Sequence, residues 1–464
     1  MITMKIGGSS LKSLESLDQV ADIIIHEPDR KKIVVLSAVH GVTDHLLKST
    51  REALETDRKI NGLLDYLQVL HHELILGSIT SPVYRRKVLD ETDYLLSRLE
   101  KLLYGIAYTG ECTSRTRDLV VSMGERLAVQ LVAGCLQDKN QEAVALDADQ
   151  IDIIATGDYG YGNADLDAIS EKLPDHLNPF LKAGVIPVIT GFFGRTPDHR
   201  VITFGRGGTD YSAAVVAYAM SCDELQIWKD VDGFMTADPK MAAQVKPLLH
   251  LSYDEAAELS YFGAKILHPR SVEPLAKKNI PAVIKNTFKA SARGSVIGPE
   301  KQQHEQIIKS VTFNHEIGAL RLIGPSLGYQ IGFLKRVVTA LTDADINIIS
   351  VITAQTAVNL LLNKRDVVKS KEIIASLKIS YVEEIEPILH ASLVGVVGEG
   401  LAETKGLAAR AFKALAMADV NVEMIVSGAS RVATYFIINQ QDVKTAVCAI
   451  HTEFFGSPPE PEFE

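Results

Sequence analysis

The residues that are best suited to binding a ligand lie in the stretch TFGRGGTDYSAA at positions 203–214. Its three glycines allow the backbone to approach a ligand closely, and Arg206 has the fork-shaped donor group that pairs with a carboxylate or a phosphate. Asp210 opens the helix-forming run YSAAVVAYAM, where a carboxylate can cap free backbone N–H groups. The alternative is structural, with Asp210 as a cap and Arg206 as a surface charge. The density of glycine and charge favours a ligand-binding loop.

A second glycine turn, IGGSS at positions 6–10, follows a predicted strand and precedes a helical pattern. Backbone N–H groups at such a turn attract phosphate oxygens, and Lys5 on the strand just before it can direct its ammonium group at the same phosphates. Alone this signal is weak, because a Gly-Gly turn after a strand is more often only a turn. The stretch is neither a Gly-x-x-x-x-Gly-Lys-Ser/Thr loop nor a Gly-x-Gly-x-x-Gly fingerprint.

Several other polar stretches follow predicted strands or interrupt apolar helices. WKDVDGFMTADPK at 228–240 is either a carboxylate-bearing ligand loop or an ordinary polar turn. Glu125 lies in a largely apolar helical run and needs a partner if it is buried, although an exposed glutamate is the simpler interpretation. SAVHGVT at 37–43 ends a strand with hydroxyl side chains and forms a second candidate polar cradle. No catalytic role is predicted for His268, because a lone histidine is more often structural.

The elements that must position these residues come from the first 300 residues, where short apolar runs alternate with helical patterns. MITMKI, KIVVLSAV and VIPVIT are predicted strands, and continuous apolar runs of this kind are typical of a parallel sheet covered by helices. Such sheets bind ligands at the carboxyl ends of their strands, which is where the glycine-rich stretches fall. The sequence therefore predicts an α/β domain with a mostly parallel central sheet, ending near residue 305.

The C-terminal part contains an internal repeat. GFLKRVVTALTDADINI begins at Gly332, and GLAARAFKALAMADVNV begins at Gly406. Each copy predicts a strand, a helix, two strands and a second helix, which is a βαββα layout. The predicted domains are therefore 1–305, 306–385 and 386–464, although the strand at 307–313 could belong with the second copy. The acidic, Pro-rich tail GSPPEPEFE is predicted to be disordered.

Composition limits the class of protein. A chain of 464 residues is expected to form two or three domains, and 46% hydrophobic with 23% charged residues is ordinary for a globular protein. The net charge of −10 argues against nucleic acid as the main partner. The four cysteines lie far apart, which predicts reduced thiols in a cytoplasm. No signal peptide is recognised and no apolar run approaches about 18 residues, so no membrane span is predicted.

Taken in order, KIGGSS, SAVHGVT, SMGE, GRGGTDYSAA, WKDVDGFMTADP and FGAKILHP resemble the aspartate kinases, or aspartokinases, over essentially the whole chain. The resemblance implies an amino-acid kinase fold followed by two βαββα, ferredoxin-like ACT domains. It also implies ATP-dependent phosphorylation of the β-carboxylate of L-aspartate, with Mg²⁺, to 4-phospho-L-aspartate. That reaction opens the synthesis of lysine, threonine, methionine and isoleucine.

The resemblance further implies a role for each matching residue. Lys5 neutralises the transferring phosphoryl group, and Asp210 holds Lys5 in place. Arg206 binds the α-carboxylate of aspartate and Glu125 binds its amino group. The other implied substrate contacts are Thr43 and Thr209, and the implied ATP contacts are Gly7, Gly8, Lys229, Asp230, Met235, Lys240 and Lys265. Met235 stands where tyrosine is common and Lys240 where arginine is common, and no protein ligand of Mg²⁺ is predicted.

Regulation is also implied, since ACT domains resemble amino-acid sensors. Feedback inhibition by lysine or threonine is expected, and Asn347 and Gln355 are the candidate effector contacts. INIISVITAQTAV at 346–358 contains no carboxylate for an ammonium group, which favours threonine over lysine, or no effector. We expect a homodimer through the ACT domains or a tetramer. The alternatives are another kinase of this fold, acting on glutamate, acetylglutamate or UMP, and a catalytically weak kinase-like amino-acid sensor.

Overall fold

The computed structural model describes residues 1–28, 31–263, 266–302 and 307–456, and the chain divides into two compact units. The predicted disordered tail beyond residue 456 lies outside the described residues. The first unit comprises Met1–Phe234, Pro247–Ala257 and Lys265–Glu300, and the second comprises Met235–Lys246, Glu258–Ala264 and Lys301–Glu464.

The first unit contains the elements of the predicted α/β domain. Its strands are β1 (Ile2–Ile6), β2 (Lys32–Leu36), β3 (Ala143–Leu146), β4 (Ala155–Thr156), β5 (Asn163–Ala164), β6 (Ile186–Thr190), β7 (Phe193–Arg195), β8 (Val201–Thr203), β9 (Glu224–Lys229), β10 (His250–Ser252), β11 (Ala282–Asn286) and β12 (Ser295–Gly298). Its helices are α1 (Leu14–His26), α2 (Val42–Glu55), α3 (Ile60–Ser78), α4 (Pro82–Thr109), α5 (Ser114–Val121), α6 (Met123–Asp138), α7 (Leu166–Lys182), α8 (Gly208–Ala219), the first part of α9 (Tyr253–Phe262) and α10 (Val272–Lys278).

The central sheet of this unit has eight strands in the order β10-β12-β11-β9-β1-β2-β6-β3. All neighbouring pairs are parallel except β11 with β12. Every residue of β1 is buried, as expected for a parallel strand covered on both faces. The structure confirms the predicted α/β fold with a mostly parallel sheet, and it places the carboxyl ends of β1, β2, β6 and β9 along one edge.

Helices α5 and α6 together form a long, largely apolar stretch. By length and composition, Ser114–Asp138 is long and apolar enough to cross a membrane, and 89% of its most apolar window is buried within the protein. Burial of this extent is what the core helix of a globular domain shows.

The second unit contains two four-stranded antiparallel sheets. Its strands are β13 (Ser310–Asn314), β14 (Ile317–Ile323), β15 (Ile348–Thr353), β16 (Ala357–Asn363), β17 (Glu384–Ile388), β18 (Ala391–Val397), β19 (Val422–Val426) and β20 (Ala433–Asn439). Its helices are α11 (Phe333–Thr342), α12 (Val367–Ser376), α13 (Leu407–Met417) and α14 (Val443–Phe455). The strand orders are β15-β16-β14-β17 and β13-β18-β20-β19.

The two copies of the repeat have the predicted βαββα order, as β14-α11-β15-β16-α12 and β18-α13-β19-β20-α14. Strand β13, which begins within the stretch predicted at 307–313, pairs with β18 and so lies in the sheet of the second copy. Strand β17 ends at Ile388, beyond the predicted limit of 385, and pairs with β14 of the first copy. The domain limits at 305 and 385 stay predictions.

Backbone conformation explains why glycine and aspartate occur at corresponding positions of the two copies. Gly332 and Gly406 precede α11 and α13 with φ of 83° and 87°, a left-handed conformation that glycine adopts without strain. Asp345 and Asp419 follow these helices with φ of 57° and 58°. Aspartate tolerates this region better than most side chains, so both pairs fix the turns at the ends of the same helix.

Candidate active site

A group of two lysines and one aspartate, in which Lys5 and Asp210 are buried and Lys229 is half-buried, occupies the carboxyl ends of β1 and β9. The Nζ atom of Lys5 lies 2.8 Å from Oδ1 of Asp210, and the Nζ atom of Lys229 lies 3.0 Å from Oδ2 of the same carboxylate. Lys229 also donates a hydrogen bond to the carbonyl oxygen of Ile266 at 2.5 Å. Lys5 is on β1 and Lys229 ends β9, while Asp210 lies in the first turn of α8. These three elements therefore meet at one point, although β1 lies far from α8 and β9 in the sequence.

The electrostatics of this lysine-aspartate cluster follow from burial and proximity. Burial alone would raise the pKa of Asp210, but Lys5 and Lys229 hold that pKa well below its ordinary value. Burial lowers the pKa of Lys5, and the attraction of Asp210 only partly opposes this effect. With all three groups ionised, two positive charges face one negative charge. The cluster therefore has an excess positive charge at the carboxyl edge of the sheet.

The glycine turn after β1 is shaped by its neighbours. A Cβ atom added to Gly8 would lie 2.7 Å from the carbonyl oxygen of Ala38, and one added to Gly7 would lie 3.3 Å from the carbonyl oxygen of Trp228 and 3.5 Å from Nζ of Lys5. The Gly7 N–H also donates a hydrogen bond to the Trp228 carbonyl at 3.0 Å. Only glycine fits at both positions without a displacement of the neighbouring atoms. The turn can therefore lie close to the ammonium group of Lys5.

The second glycine loop precedes α8 and has its own requirement for glycine. Gly205 and Gly207 have φ of 75° and 73°, in the left-handed region. A Cβ atom on Gly207 would lie 2.2 Å from the ring of His268, so this position lacks both the conformation and the space for a side chain. The ring of His268, for which no catalytic role was predicted, thus packs directly against the loop.

Glu125 in the first turn of α6 is almost fully buried, with 2% of its surface exposed. Its Oε1 atom accepts a hydrogen bond from the backbone N–H of Ala38 at 3.1 Å, and its buried Oε2 atom has no partner among the described residues. Burial raises the pKa of Glu125 to about 8, against the opposing effects of the Ala38 N–H and of Lys5. The interpretation as an exposed glutamate was wrong. A buried carboxylate oxygen that lacks a partner is suited to a cationic ligand.

The unusual pKa of Glu125 makes a prediction for stability. The pKa of Glu125 is higher in the folded than in the unfolded protein. Its ionisation therefore leaves the free energy of unfolding unchanged below about pH 4.5 and lowers it progressively as the pH rises to about 8. Glu125→Gln removes the ionisation, so the variant should gain on the order of 4 kcal/mol relative to wild type between about pH 4.5 and 8.5. Melting temperatures of both proteins across this range test it. Glu15→Gln, at an exposed position of α1, is the control for replacing a glutamate that is not buried.

The remaining residues predicted to bind aspartate lie in the first unit. Arg206 is exposed and makes no hydrogen bond or ion pair with the part of the chain that the structure describes. Thr209 is 7% exposed, and its methyl group packs against Gly191, where an added Cβ atom would lie 2.4 Å from Thr209 Cγ2. Thr43 is half-buried in the first turn of α2. Arg206 therefore retains its full set of donors for a ligand.

The other predicted contacts are spread over both units. Asp230 is exposed directly after β9. Met235 and Lys240 lie in Met235–Lys246, which belongs to the second unit, and the Met235 carbonyl accepts a hydrogen bond from Ser310 of β13 at 2.8 Å. Lys265 lies outside the described residues. Asn347 and Gln355 are exposed in the second unit, next to or just after β15. The ATP and effector roles of all these residues stay predictions.

Two residues at the end of β6 were missed by sequence reasoning. Gly191 donates its N–H to the carbonyl of Leu36 at 2.9 Å and leaves the space that Thr209 fills. Phe192 has φ of 71°, which is rare for a bulky residue and marks a constrained backbone beside a site. Gly191 could have been found as a glycine following a predicted strand. Nothing in the sequence marks the conformation of Phe192.

The family comparisons agree with this fold and site. A family model described as the amino acid kinase family matches residues 1–286, and one described as an ACT domain matches residues 394–454. The first match covers more than half of the chain and includes the glycine turn, Glu125 and the lysine-aspartate cluster. This chain belongs to the amino acid kinase family.

Individual relatives and solved structures give a more specific comparison. Aspartokinase 3, chloroplastic, of Arabidopsis thaliana is 35% identical over 97% of this chain and 81% of its own length. The crystal structure of E. coli aspartokinase III with aspartate and ADP, in the R-state, has a TM-score of 0.83 and 25% identity, and the match covers 98% of this chain and 100% of that one. The T-state structure of that enzyme with lysine and aspartate has a TM-score of 0.81 at 25% identity, covering 98% and 99%. Within its family, the chain thus falls among the aspartokinases, as the order of its motifs predicted.

Proposed function

We propose that this protein transfers the γ-phosphoryl group of ATP to the β-carboxylate of L-aspartate and releases 4-phospho-L-aspartate and ADP. The observation that carries the proposal is the lysine-aspartate cluster, with its excess positive charge at the carboxyl ends of β1 and β9. Phosphoryl transfer depends mainly on positioning and on neutralising negative charge, and this cluster supplies both. The comparison with an aspartokinase solved with aspartate and ADP supports the same substrates.

In the proposed reaction, a β-carboxylate oxygen of aspartate attacks the γ-phosphorus while the bond to the β,γ-bridging oxygen breaks. The bonding pair leaves with ADP, and the new acyl phosphate keeps the transferred phosphoryl group. Lys5 neutralises charge on the transferring group, and Asp210 keeps Lys5 in place through their 2.8 Å ion pair. The Lys229 ammonium group, which the same carboxylate holds, faces the nucleotide phosphates. Gly7 and Gly8 let the backbone lie close to those phosphates.

Aspartate selection is assigned to groups of the first unit that lack internal partners. The unpartnered Oε2 atom of Glu125 accepts a hydrogen bond from the α-ammonium group, whose positive charge favours ionisation of Glu125. Arg206 pairs with the α-carboxylate through its fork of N–H donors. Thr43 and Thr209 add hydroxyl contacts. Fixing both α-substituents leaves the β-carboxylate as the free nucleophile, and glutamate would place its carboxylate one methylene group further away.

Arg206 provides a direct test of substrate recognition. Arg206→Ala should raise the KM for aspartate about 100-fold, because a bidentate, charge-assisted pair contributes roughly 3 kcal/mol. Arg206→Lys keeps the charge but loses the fork and should recover only part of the affinity. Initial rates at saturating ATP, with aspartate varied, measure the effect. An unchanged aspartate KM in folded Arg206→Ala would contradict the assignment.

The nucleotide contacts are assigned from the family motifs. We assign Asp230, Met235, Lys240 and Lys265 to ATP together with Lys229, on the strength of the motif resemblance. No group of three or more His, Cys, Asp or Glu side chains is placed to hold a metal ion in the described ranges of the chain. Both oxygens of Asp210 already lie beside lysines. Mg²⁺ would therefore be held mainly by the phosphate oxygens of the nucleotide.

Feedback control by an amino acid is proposed for the two βαββα domains, assigned to 306–385 and 386–464 after a catalytic domain at 1–305. Asn347 and Gln355 are the candidate effector contacts, and both side chains are exposed in the second unit. The lysine complex of E. coli aspartokinase III supports lysine as the effector, whereas the absence of a carboxylate from 346–358 favours threonine. We further propose a cytoplasmic homodimer through these domains, or a tetramer, at the start of lysine, threonine, methionine and isoleucine synthesis.

The experiment that tests the proposed function is ADP release by purified protein with ATP and Mg²⁺, comparing aspartate with glutamate. Lysine and threonine are titrated into the same assay. Aspartate-dependent release that one of the two amino acids suppresses is the expected result. A protein that binds lysine or threonine but does not turn over aspartate would instead be a kinase-like sensor.

A further inference from the structure

Two charged side chains from distant parts of the first unit hold the backbone that leads into the Arg206 loop. Asp118 lies on α5 and has 1% of its surface exposed. Arg270 lies in the short 3-10 helix Pro269–Ser271 and is half-buried. Neither residue belongs to the site assigned above, and neither was singled out by its sequence context.

Asp118 binds two backbone N–H groups with one oxygen atom. Its Oδ2 atom accepts hydrogen bonds from Thr203 N at the end of β8 and from Gly160 N in the loop after β4, each at 2.8 Å. The same two segments are also joined directly, because the Gly162 N–H donates to the Thr203 carbonyl at 2.8 Å. A carboxylate this deeply buried is costly, so its contacts must be specific for it to persist.

Arg270 binds the carbonyl groups of the same two segments. Its Nη1 atom donates to the Phe204 carbonyl at 3.0 Å, and its Nη2 atom donates to the Gly162 carbonyl at 2.7 Å. Its guanidinium group lies over the ring of Tyr211 in α8, 4.5 Å from the ring centroid. Asp118 accepts from the backbone N–H groups of these segments and Arg270 donates to their carbonyl groups, so the two form a complementary backbone clamp.

Every polar main-chain group of the two residues before the loop has a partner, and the backbone clamp supplies two of these four partners. The Thr203 N–H donates to Asp118, and the Thr203 carbonyl accepts from the Gly162 N–H. The Phe204 N–H donates to the Phe192 carbonyl at 2.8 Å, and the Phe204 carbonyl accepts from Arg270. Gly205 follows at once, with the left-handed φ that turns the chain toward Arg206. The position from which Arg206 extends is therefore set before any ligand arrives.

We propose that Asp118 is a positioning residue for aspartate recognition, acting with Arg270 through the backbone of Thr203 and Phe204 to preorganise Arg206. This inference rests on the proposed function, in which Arg206 binds the α-carboxylate. A loop that is already ordered loses less freedom on binding, so removing the clamp should weaken aspartate binding more than ATP binding. Asp118 itself touches no substrate.

The test compares Asp118→Ala with Asp118→Asn. Asp118→Ala leaves two buried N–H groups without an acceptor and should raise the KM for aspartate on the order of tenfold, with the KM for ATP within about twofold of wild type. Asp118→Asn retains an oxygen that can accept both N–H groups and should restore the aspartate KM to within about threefold. Equal increases in both KM values, or an unchanged aspartate KM in folded Asp118→Ala, would overturn the proposal.

Asp138→Ala is the matched control. Asp138 also accepts hydrogen bonds from two backbone N–H groups, those of Thr80 and Ser81 at 2.9 and 2.6 Å, but it lies at the C-terminal end of α6. This variant should lower the melting temperature and leave both KM values unchanged. If Asp118→Ala does not fold, Arg270→Lys replaces it, since losing the fork should also raise the aspartate KM selectively.

A second readout separates this proposal from the proposed function. Amide hydrogen exchange at Thr203 and Gly160 should be faster in Asp118→Ala than in wild type and should return toward wild type in Asp118→Asn. Absence of aspartate turnover in the wild-type protein would reject the proposed function, and the exchange rates would still show whether Asp118 orders the loop. Unchanged exchange at both amides would overturn the clamp itself.

Discussion

Lys5→Ala is expected to lower kcat about 10³-fold, because the charge that develops on the transferring phosphoryl group then lacks its nearest positive partner. The variant should still fold, since Asp210 keeps an ion pair with Lys229 at 3.0 Å. Steady-state rates with ATP and aspartate at saturation measure kcat separately from binding. A loss confined to KM would mean that Lys5 only binds ground-state substrate.

Lys32→Ala is the control for this variant. Lys32 opens β2 and pairs in register with Ile2, at the opposite end of the sheet from the candidate site. Its ammonium group donates to the carbonyl of Ile24 at 2.8 Å, so its removal tests the loss of a structural lysine. The kcat of Lys32→Ala should remain within about twofold of wild type. Wild-type kcat in Lys5→Ala would contradict the role of Lys5 directly.

Asp210→Asn is expected to have the second large effect, on both catalysis and stability. The substitution leaves the ammonium groups of Lys5 and Lys229 near each other without a counter-charge, and breaking a buried pair in this way costs on the order of 3–5 kcal/mol. The melting temperature should therefore fall. The kcat should fall at least about 100-fold, because Lys5 is no longer held at the phosphoryl position. Thermal unfolding and steady-state kinetics on the same preparation measure the two effects.

Asp152→Asn distinguishes this result from the general cost of losing an ion pair. Asp152 forms an ion pair with Arg195, and its Oδ2 atom lies 3.3 Å from Nε2 of His176. These residues lie outside the lysine-aspartate cluster. Its replacement should lower the melting temperature and leave kcat unchanged. An Asp210→Asn variant with wild-type kcat, or one that is as stable as wild type, would contradict the account of the cluster.

Much of this architecture could be predicted because its signals are local. The buried strand β1 is a continuous apolar run, and the glycine turn after it follows from the Gly7–Gly8 pair. The two copies of the repeat, with Gly332 and Gly406 at corresponding positions, have the predicted order of strands and helices. In both copies this glycine adopts a left-handed conformation directly before a helix. Local patterns of apolar spacing and backbone conformation are what a single sequence records directly.

The features that sequence reasoning missed depend on contacts between distant segments. Glu125 was interpreted as exposed because its hydrogen bond with the N–H of Ala38, 87 residues away, leaves no local pattern in the sequence. Asp118 and Arg270 bind backbone groups, which carry no residue signature at all. The segment of Met235 groups with the second unit, where its carbonyl accepts a hydrogen bond from Ser310 of β13, and the ATP contact of Met235 stays a prediction.

The measurement that tests the central claim most directly is the identification of the phosphorylated product. Purified protein is incubated with ATP, Mg²⁺, L-aspartate and hydroxylamine, which converts an acyl phosphate into a stable hydroxamate that mass spectrometry can identify. We expect the β-hydroxamate of aspartate, formed only with ATP and lost in Lys5→Ala. A hydroxamate at the α-carboxylate, or none from aspartate while glutamate reacts, would contradict the assignment of Arg206 and Glu125 to the α-substituents and with it the proposed reaction.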